Sequence, residues 1–368
     1  MTEADLSNVV AVNVDSSATI ASQSGQWFGR ASMKVRSGVV VLVYREGSHH
    51  AVNDGELHIR FSTDYGATWT AEDTFTNGSA VTGFPMNPST LSAGEDAGEP
   101  WLYLADNGDL ILHMWRVDYG VSQNGTYQSV STDGGATWSS SAAVAFASTT
   151  DDANMFSTDD DFVSGGVIYA GARIHGTSQT PSESCLIKST DDGATWEKVS
   201  TICASNEGTA GTGAWEVGLE YLGSNTIIAI LRMVDLTRAY KRISTDMGAT
   251  WGSLTEITSQ VGIAGRVRVY TRAHLKGEAS WWDDTTLVMV GYVHQTAGSS
   301  TSRRNCIWVS KDAGTTWTLP IYIDVTAEDA GYGDMIWNPT TKRYVVVTYQ
   351  GTQAEAVLKQ YNVRVFGI

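Results

Sequence analysis

Ser62-Thr63-Asp64-Tyr65-Gly66-Ala67-Thr68-Trp69 is one of five octapeptides in this chain that obey S-x-D-x-G-x-T-W. The others run from Ser131 to Trp138, Ser189 to Trp196, Ser244 to Trp251 and Ser310 to Trp317, and successive starts lie 69, 58, 55 and 66 residues apart. A long motif at that period means that one supersecondary unit is repeated along the chain. The motif has the chemistry of a turn. Its Asp accepts hydrogen bonds from backbone amides, and its Gly supplies the positive φ of a tight hairpin. Its Thr and Trp are expected to pin the turn to its own sheet.

The flanking sequence is that of strands. Leu57 to Phe61, Cys185 to Lys188 and Cys306 to Val309 are β-formers leading into a motif, and no stretch has the period of a long amphipathic helix. Gly is plentiful at 37 and Pro scarce at 6. A repeat of about 60 residues is enough for a four-stranded sheet. The octapeptide is identified as the Asp box, and five of them make the chain resemble the β-propellers of the sialidase family. Five boxes in 368 residues predict an all-β, six-bladed β-propeller. Phe28 to Tyr44 and Ile321 to Val365 would close its ring and so remove free sheet edges. Seven blades would need about 52 residues each, which the spacing disfavours. No linker or change of composition divides the chain, so residues 1–368 read as a single domain.

The net charge is −16, from 40 acidic and 24 basic residues. That balance argues against nucleic acid as a partner and makes any gathering of arginines informative. Three cysteines (Cys185, Cys203 and Cys306) cannot form a disulfide framework. Met1 to Val10 lacks the pattern of a secretory leader, and no apolar run reaches membrane-spanning length. These features fit a soluble chain and leave its compartment open. No cofactor and no metal site are expected; His49, His50 and Asp54 have ligand chemistry but no ligand spacing.

The resemblance to sialidases extends along the whole chain and implies a set of site residues. Trp27-Phe28-Gly29-Arg30 is similar to the segment that opens a sialidase, which implies that Arg30 binds a substrate carboxylate. Arg45, in Tyr44-Arg45-Glu46, matches a second family arginine, after which an aspartate serves as acid/base. Here His50 stands near the expected offset and Asp54 follows, so either is the proton donor. Glu216 and Arg232 match a glutamate–arginine pair at neighbouring strand ends, with Glu220 as the alternative to Glu216. Arg303, chosen over Arg304 from strand register, matches the third carboxylate-binding arginine. Tyr332, in Ala330-Gly331-Tyr332-Gly333, matches the nucleophile.

These residue types suit one reaction. Guanidinium groups match a carboxylate bidentately and keep their charge, so Arg30, Arg232 and Arg303 would clamp an acidic sugar. A neutral tyrosine avoids the repulsion that a carboxylate nucleophile would meet, and sialidases are a recognised exception to the two-carboxylate rule. Glu216 would take the proton of Tyr332, whose ordinary pKa near 10 makes it a poor nucleophile alone. The resemblance therefore implies a retaining exo-α-sialidase acting on sialylated glycans or related acidic sugars. Two other readings stand beside it: a propeller lyase that attacks uronates through histidine and tyrosine, and a non-catalytic glycan-binding propeller.

Overall fold

The computed structural model describes residues 10–50, 54–85, 96–118, 122–147, 155–175, 182–208, 211–277, 285–299, 301–325 and 327–366. The chain opens with β1 (Ala11–Ala21), β2 (Trp27–Arg36), β3 (Val39–Gly47) and β4 (Glu56–Ser62). A second group is β5 (Asp96–Leu104), β6 (Leu110–Asp118), β7 (Ser122–Ser131) and β8 (Ala142–Ala143). The third is β9 (Met155–Ser164), β10 (Val167–His175), β11 (Ser182–Ser189) and β12 (Glu197–Cys203). The fourth is β13 (Ala214–Tyr221), β14 (Ile227–Met233), β15 (Ala239–Ser244) and β16 (Thr255–Glu256). The fifth is β17 (Arg268–Thr271), β18 (Leu287–His294), β19 (Arg303–Ser310) and β20 (Ile321–Tyr322), and β21 (Asp329–Asn338), β22 (Arg343–Gly351) and β23 (Ala356–Phe366) follow. Two single-turn helices, Thr258–Val261 and Arg272–Leu275, are the only ones among the described residues.

The architecture is all-β and propeller-like, but its sheets are not six alike. The second to fifth groups are separate four-stranded antiparallel meanders. The first and last groups are fused into one seven-stranded sheet, in the order β21-β22-β23-β2-β3-β4 with β1 on β23. The join is slight: β23 meets β2 in parallel at the single pair Trp27 and Ala356, whereas β1 runs antiparallel to β23 along its length. Because the first and last strands share this sheet, the two expected end blades do not stand as separate sheets.

The five boxes share one geometry. Each Asp (64, 133, 191, 246 and 312) accepts from a Thr amide at 2.8–2.9 Å and from the same Thr hydroxyl at 2.6–2.7 Å. Each Ser hydroxyl accepts from the box Gly amide at 2.7–2.9 Å. The tryptophans do more than hold their own sheet. Trp196 and Trp251 donate to Gln128 and Ser200 on the sheet before, at 3.1 and 2.9 Å, and Trp69 donates at 2.8 Å to Gln360 on β23, across the join of the seven-stranded sheet. A buried indole N–H needs a partner, and finding it next door ties neighbouring sheets together.

Apolar cores lie between successive sheets; Val41, Val43, Leu57, Ile59 and Phe61 pack on Leu102, Leu110, Leu112 and Met114. The leading strands β2, β5, β9, β13, β17 and β21 instead join through polar side chains. Ser32 Oγ accepts from the Leu102 amide (2.9 Å), and Asp160 Oδ2 accepts from the amides of Leu219 (3.2 Å) and Val269 (3.1 Å). Asp334 accepts from the Met33 amide (2.6 Å) and the Tyr270 hydroxyl (2.8 Å). Arg268 completes this plug, 3.2 Å from Asp334, donating to Ser32 Oγ (2.8 Å) and lying over Trp101 (3.7 Å).

Candidate active site

One local device aims the side chains of this site. In β2, β5, β13 and β21 two residues oppose one on the next strand: Arg30–Ala31, Glu99–Pro100, Trp215–Glu216 and Tyr332–Gly333. Such bulges re-aim a side chain, and they are over-represented beside active sites. Arg30, Glu99 and Tyr332 have φ of 55°, 43° and 48° there, in a region that residues with a Cβ rarely occupy. Gly331 lets the last bulge form: its φ is 132°, and a Cβ would come within 2.1 Å of the Tyr292 ring.

The bulges bring Tyr332 and Glu216 together. The Tyr332 hydroxyl donates to Glu216 Oε1 at 3.2 Å and accepts from Arg232 Nη1 at 3.3 Å. Arg232 Nη1 lies 2.6 Å from both Glu216 oxygens. Arg232 comes from β14, where it faces the Trp215–Glu216 bulge. Around the tyrosine ring stand Arg30 at 5.7 Å, Arg266 at 5.4 Å and His50, whose ring centroid is 5.9 Å away.

Arg303, at the head of β19, donates to Asp329 Oδ1 at 2.6 Å and lies 5.0 Å from the Tyr292 ring. Asp329 is fully buried and also accepts from Trp27 Nε1 (3.0 Å) and the Tyr349 hydroxyl (3.0 Å). Its second oxygen lies 2.5 Å from His50 Nδ1. Arg45 is buried, donates to the His49 carbonyl (3.0 Å) and sits 5.5 Å from the Trp27 ring.

Of the residues expected from sequence, Arg30, His50, Arg232, Arg303, Glu216 and Tyr332 gather in one cluster, with Arg45 beneath it on Trp27. Asp54 is exposed, and its carboxylate accepts from the Ser48 amide at 3.1 and 3.3 Å. Glu220 is buried away from Tyr332, its carboxylate on the Thr271 amide and His274. Arg304 points outward to the Asp324 carbonyl and the Tyr322 ring. Three of the expected arginines each face a carboxylate of their own. Arg232 pairs with Glu216, Arg303 with Asp329, and Arg30 approaches Glu99 at 3.9 Å.

Sequence reasoning passed over four residues of this cluster. Glu99 receives Arg173 at 3.2 Å and Arg266 at 3.9 Å, and Asp329 links His50 to Arg303. The alternation Arg266-Val267-Arg268-Val269 was a usable signal, because charge repeating at period two on a β-rich stretch calls for a buried acidic partner. Glu99 and Asp329 carry no such mark.

The electrostatics follow from this crowding. Among the described residues, six arginines (30, 45, 173, 232, 266 and 303) gather around three buried carboxylates (Glu99, Glu216 and Asp329) in a chain that is acidic as a whole. Burial opposes ionisation of Glu216, yet Arg232 and Arg173 hold its carboxyl below the usual range. Burial, then the neighbouring Glu216 and Tyr292, push the Tyr332 phenol above its ordinary value. Burial draws His50 down to about 4, against the pull of Asp329. The site thus holds a neutral tyrosine bonded to an ionised glutamate, and a neutral imidazole oriented by an aspartate.

A larger cavity of about 670 Å3 opens at the other ends of the leading strands, beside Lys34, Asp161, Phe162, His274 and Trp337. Tyr332, Glu216 and the cluster arginines do not line it.

The sequence profile of BNR repeat-like domains matches residues 54–339. The chain belongs to that family. Its fold is shared by a protein of unknown function from Dyadobacter fermentans, at 16% identity and TM-score 0.73 over 96% of this chain and 99% of that one. A variant of the NanB sialidase of Streptococcus pneumoniae matches at 13% identity and TM-score 0.66, over 99% and 72%. A Trypanosoma rangeli sialidase, solved with 2,3-difluorosialic acid as a covalent intermediate, matches at 14% identity and TM-score 0.61. That match covers 92% of this BNR repeat-like chain and 53% of the trypanosomal one, about half its length. A search of curated proteins gives no match. At these identities the likeness is one of fold. No described helix is long and apolar enough to cross a membrane.

Proposed function

We propose that this chain is an exo-acting, retaining glycoside hydrolase of sialidase type that releases a terminal nonulosonic acid. We also take residues 1–368 as one domain and count the two antiparallel runs of the seven-stranded sheet as separate blades, six in all. The observation that carries the reading is the Tyr332 hydroxyl held between Glu216 and Arg232, with further arginines around the ring. Local positive charge suits an anionic sugar, because the acidic chain offers no long-range attraction.

In the first step the Tyr332 oxygen bonds to the anomeric carbon as the bond to the leaving oxygen breaks. Glu216 takes the phenolic proton, and a proton donor gives one to the leaving group. Water then attacks the anomeric carbon, yields its proton to that same donor, and the tyrosine departs to be reprotonated by Glu216. Two displacements retain configuration. Of the two candidate donors Asp54 is exposed, while His50 is largely buried beside Tyr332 and can donate only in its protonated form, which is populated towards pH 4. Arg30, Arg303 and Arg45 then bind the substrate carboxylate, which competes with Glu99 and Asp329 for the first two.

The test is release of fluorophore from a fluorogenic α-ketoside of sialic acid by the parent chain and by Tyr332→Phe. Alongside it, 2,3-difluorosialic acid should leave a covalent adduct on Tyr332, seen by peptide mass spectrometry. Turnover by the parent with a loss of 10³-fold or more in the variant supports the reading. Turnover that survives Tyr332→Phe refutes the nucleophile, and no turnover refutes the substrate class.

One observation favours a second reading. His50, neutral near pH 7 and bonded through Nδ1 to Asp329, is arranged to accept a proton. With Tyr332 it would suit a lyase that removes the proton α to a uronate carboxylate. Such a reaction forms an unsaturated product, so a rise in ultraviolet absorbance on uronate polysaccharides separates the two.

A further inference from the structure

On the outer face of the β3–β4 hairpin a single histidine is ringed by carboxylates. His58 is 6% exposed. Its Nδ1 faces Asp73 Oδ2 at 3.1 Å, and Asp73 is fixed because its other oxygen accepts from the Ile59 amide at 3.0 Å. Its Nε2 makes no hydrogen bond and points at Glu46 Oε2 (3.3 Å) and Glu56 Oε2 (3.9 Å). Glu72 Oε1 approaches the ring from the Nδ1 side at 3.5 Å, and its second oxygen takes the Tyr44 hydroxyl and Arg60.

Two features set this group apart from an ordinary acidic patch. Glu46 and Glu56 are directly paired across the two strands, and like charges directly opposite destabilise a sheet unless a cation lies between them. In addition, a ring held by a carboxylate on one nitrogen and aimed at further carboxylates with the other is the usual outer-shell arrangement of a metal-binding histidine. Ligands about 2.1 Å from a tetrahedral ion are about 3.4 Å apart, close to the spacing of Nε2 and the Glu46 oxygen. One donor atom each from Glu46, His58 and Glu72 lies within 4.8 Å of the others.

We propose that Glu46, His58 and Glu72 bind a divalent first-row transition ion, with Glu56 in reach and Asp73 orienting the ring. An imidazole beside carboxylates suits Zn²⁺ or Mn²⁺ better than Ca²⁺, which takes oxygen alone. The ion would brace the end of the hairpin that carries Arg45 and His50, one and four residues from Glu46.

The full chain, stripped with chelator, is titrated with ZnCl₂ and separately with MnCl₂ by calorimetry. The expected result is one ion per chain, a rise in Tm, and at least tenfold weaker binding in Glu46→Gln and in His58→Gln. Glu46→Gln removes a like charge, so it tests the site even if His58→Gln fails to fold. Binding unchanged in Glu46→Gln would place the ion elsewhere and overturn the proposal. So would the absence of saturable binding of either ion.

Discussion

Asp334→Ala should destabilise the fold far more than its single position suggests. The carboxylate is fully buried in the plug and accepts from the amides of Met33 (2.6 Å) and Met335 (2.7 Å) and from the Tyr270 hydroxyl (2.8 Å). It also faces Arg268 at 3.2 Å; the next acid, Asp160, is 3.9 Å from that guanidinium. Removing one partner of a buried pair costs about 3–5 kcal/mol, because the remaining charge stays desolvated. Unfolding entropy of about 2 cal/mol/K per residue gives about 0.8 kcal/mol/K for 368 residues, so Tm should fall by about 4–6 °C. Differential scanning calorimetry of parent and variant at pH 7 measures this directly. Arg268→Met with Asp334→Leu should restore much of the loss, since an apolar pair leaves no uncompensated charge. A fall below 1 °C in the single variant, or no recovery in the double one, would refute the claim that the plug stitches the leading strands together.

Glu216→Gln should lower turnover by about 10²–10⁴ while leaving substrate affinity nearly unchanged, which steady-state kinetics on the α-ketoside would read. Arg303→Lys should instead raise KM about tenfold or more with a smaller effect on kcat, because a lysine cannot reproduce the guanidinium fork. Stability should fall in acid through three buried histidines: His50 and His113 are drawn to about 4 and His294 to about 3, chiefly by burial. The unfolded chain binds their protons below about pH 6.5, so Tm should drop from there towards pH 4 and the drop should be shallower in His50→Gln. Asp191→Ala, which removes one box carboxylate, should cost about 1 kcal/mol and leave turnover intact, by comparison with other local caps.

Sequence made the turns of this fold readable because the Asp box is a local device. Its Asp, Gly and Thr act within eight residues, so their spacing survives in the primary structure. The sheet count was harder, since the pairing of β1 with β23 joins residues about 350 apart and leaves no local pattern. Within the site, Arg232 was legible because a charge after the apolar run Ile227–Leu231 must face something polar. Register separated Arg303 from Arg304, since neighbours on a strand face opposite ways. Glu99 was not legible: its aim depends on a bulge, which has no residue signature beyond the Gly and Pro beside it. Asp329 looks like any acidic residue until the fold brings Trp27, His50 and Arg303 to it.

The fused end sheet also governs how the molecule comes into being. As the chain leaves the ribosome, the four middle sheets each close from contiguous sequence and are complete soon after synthesis. β1, made first, has no partner until β23, made last, arrives to pair Val12 with Val365 and Ala18 with Gln360. Throughout that interval both β1 and β2 present open strand edges, the kind of surface on which nascent chains stick to one another. Closure of this sheet competes with association between chains, which grows with concentration, so the yield in the cell should depend on how quickly β23 finds β1.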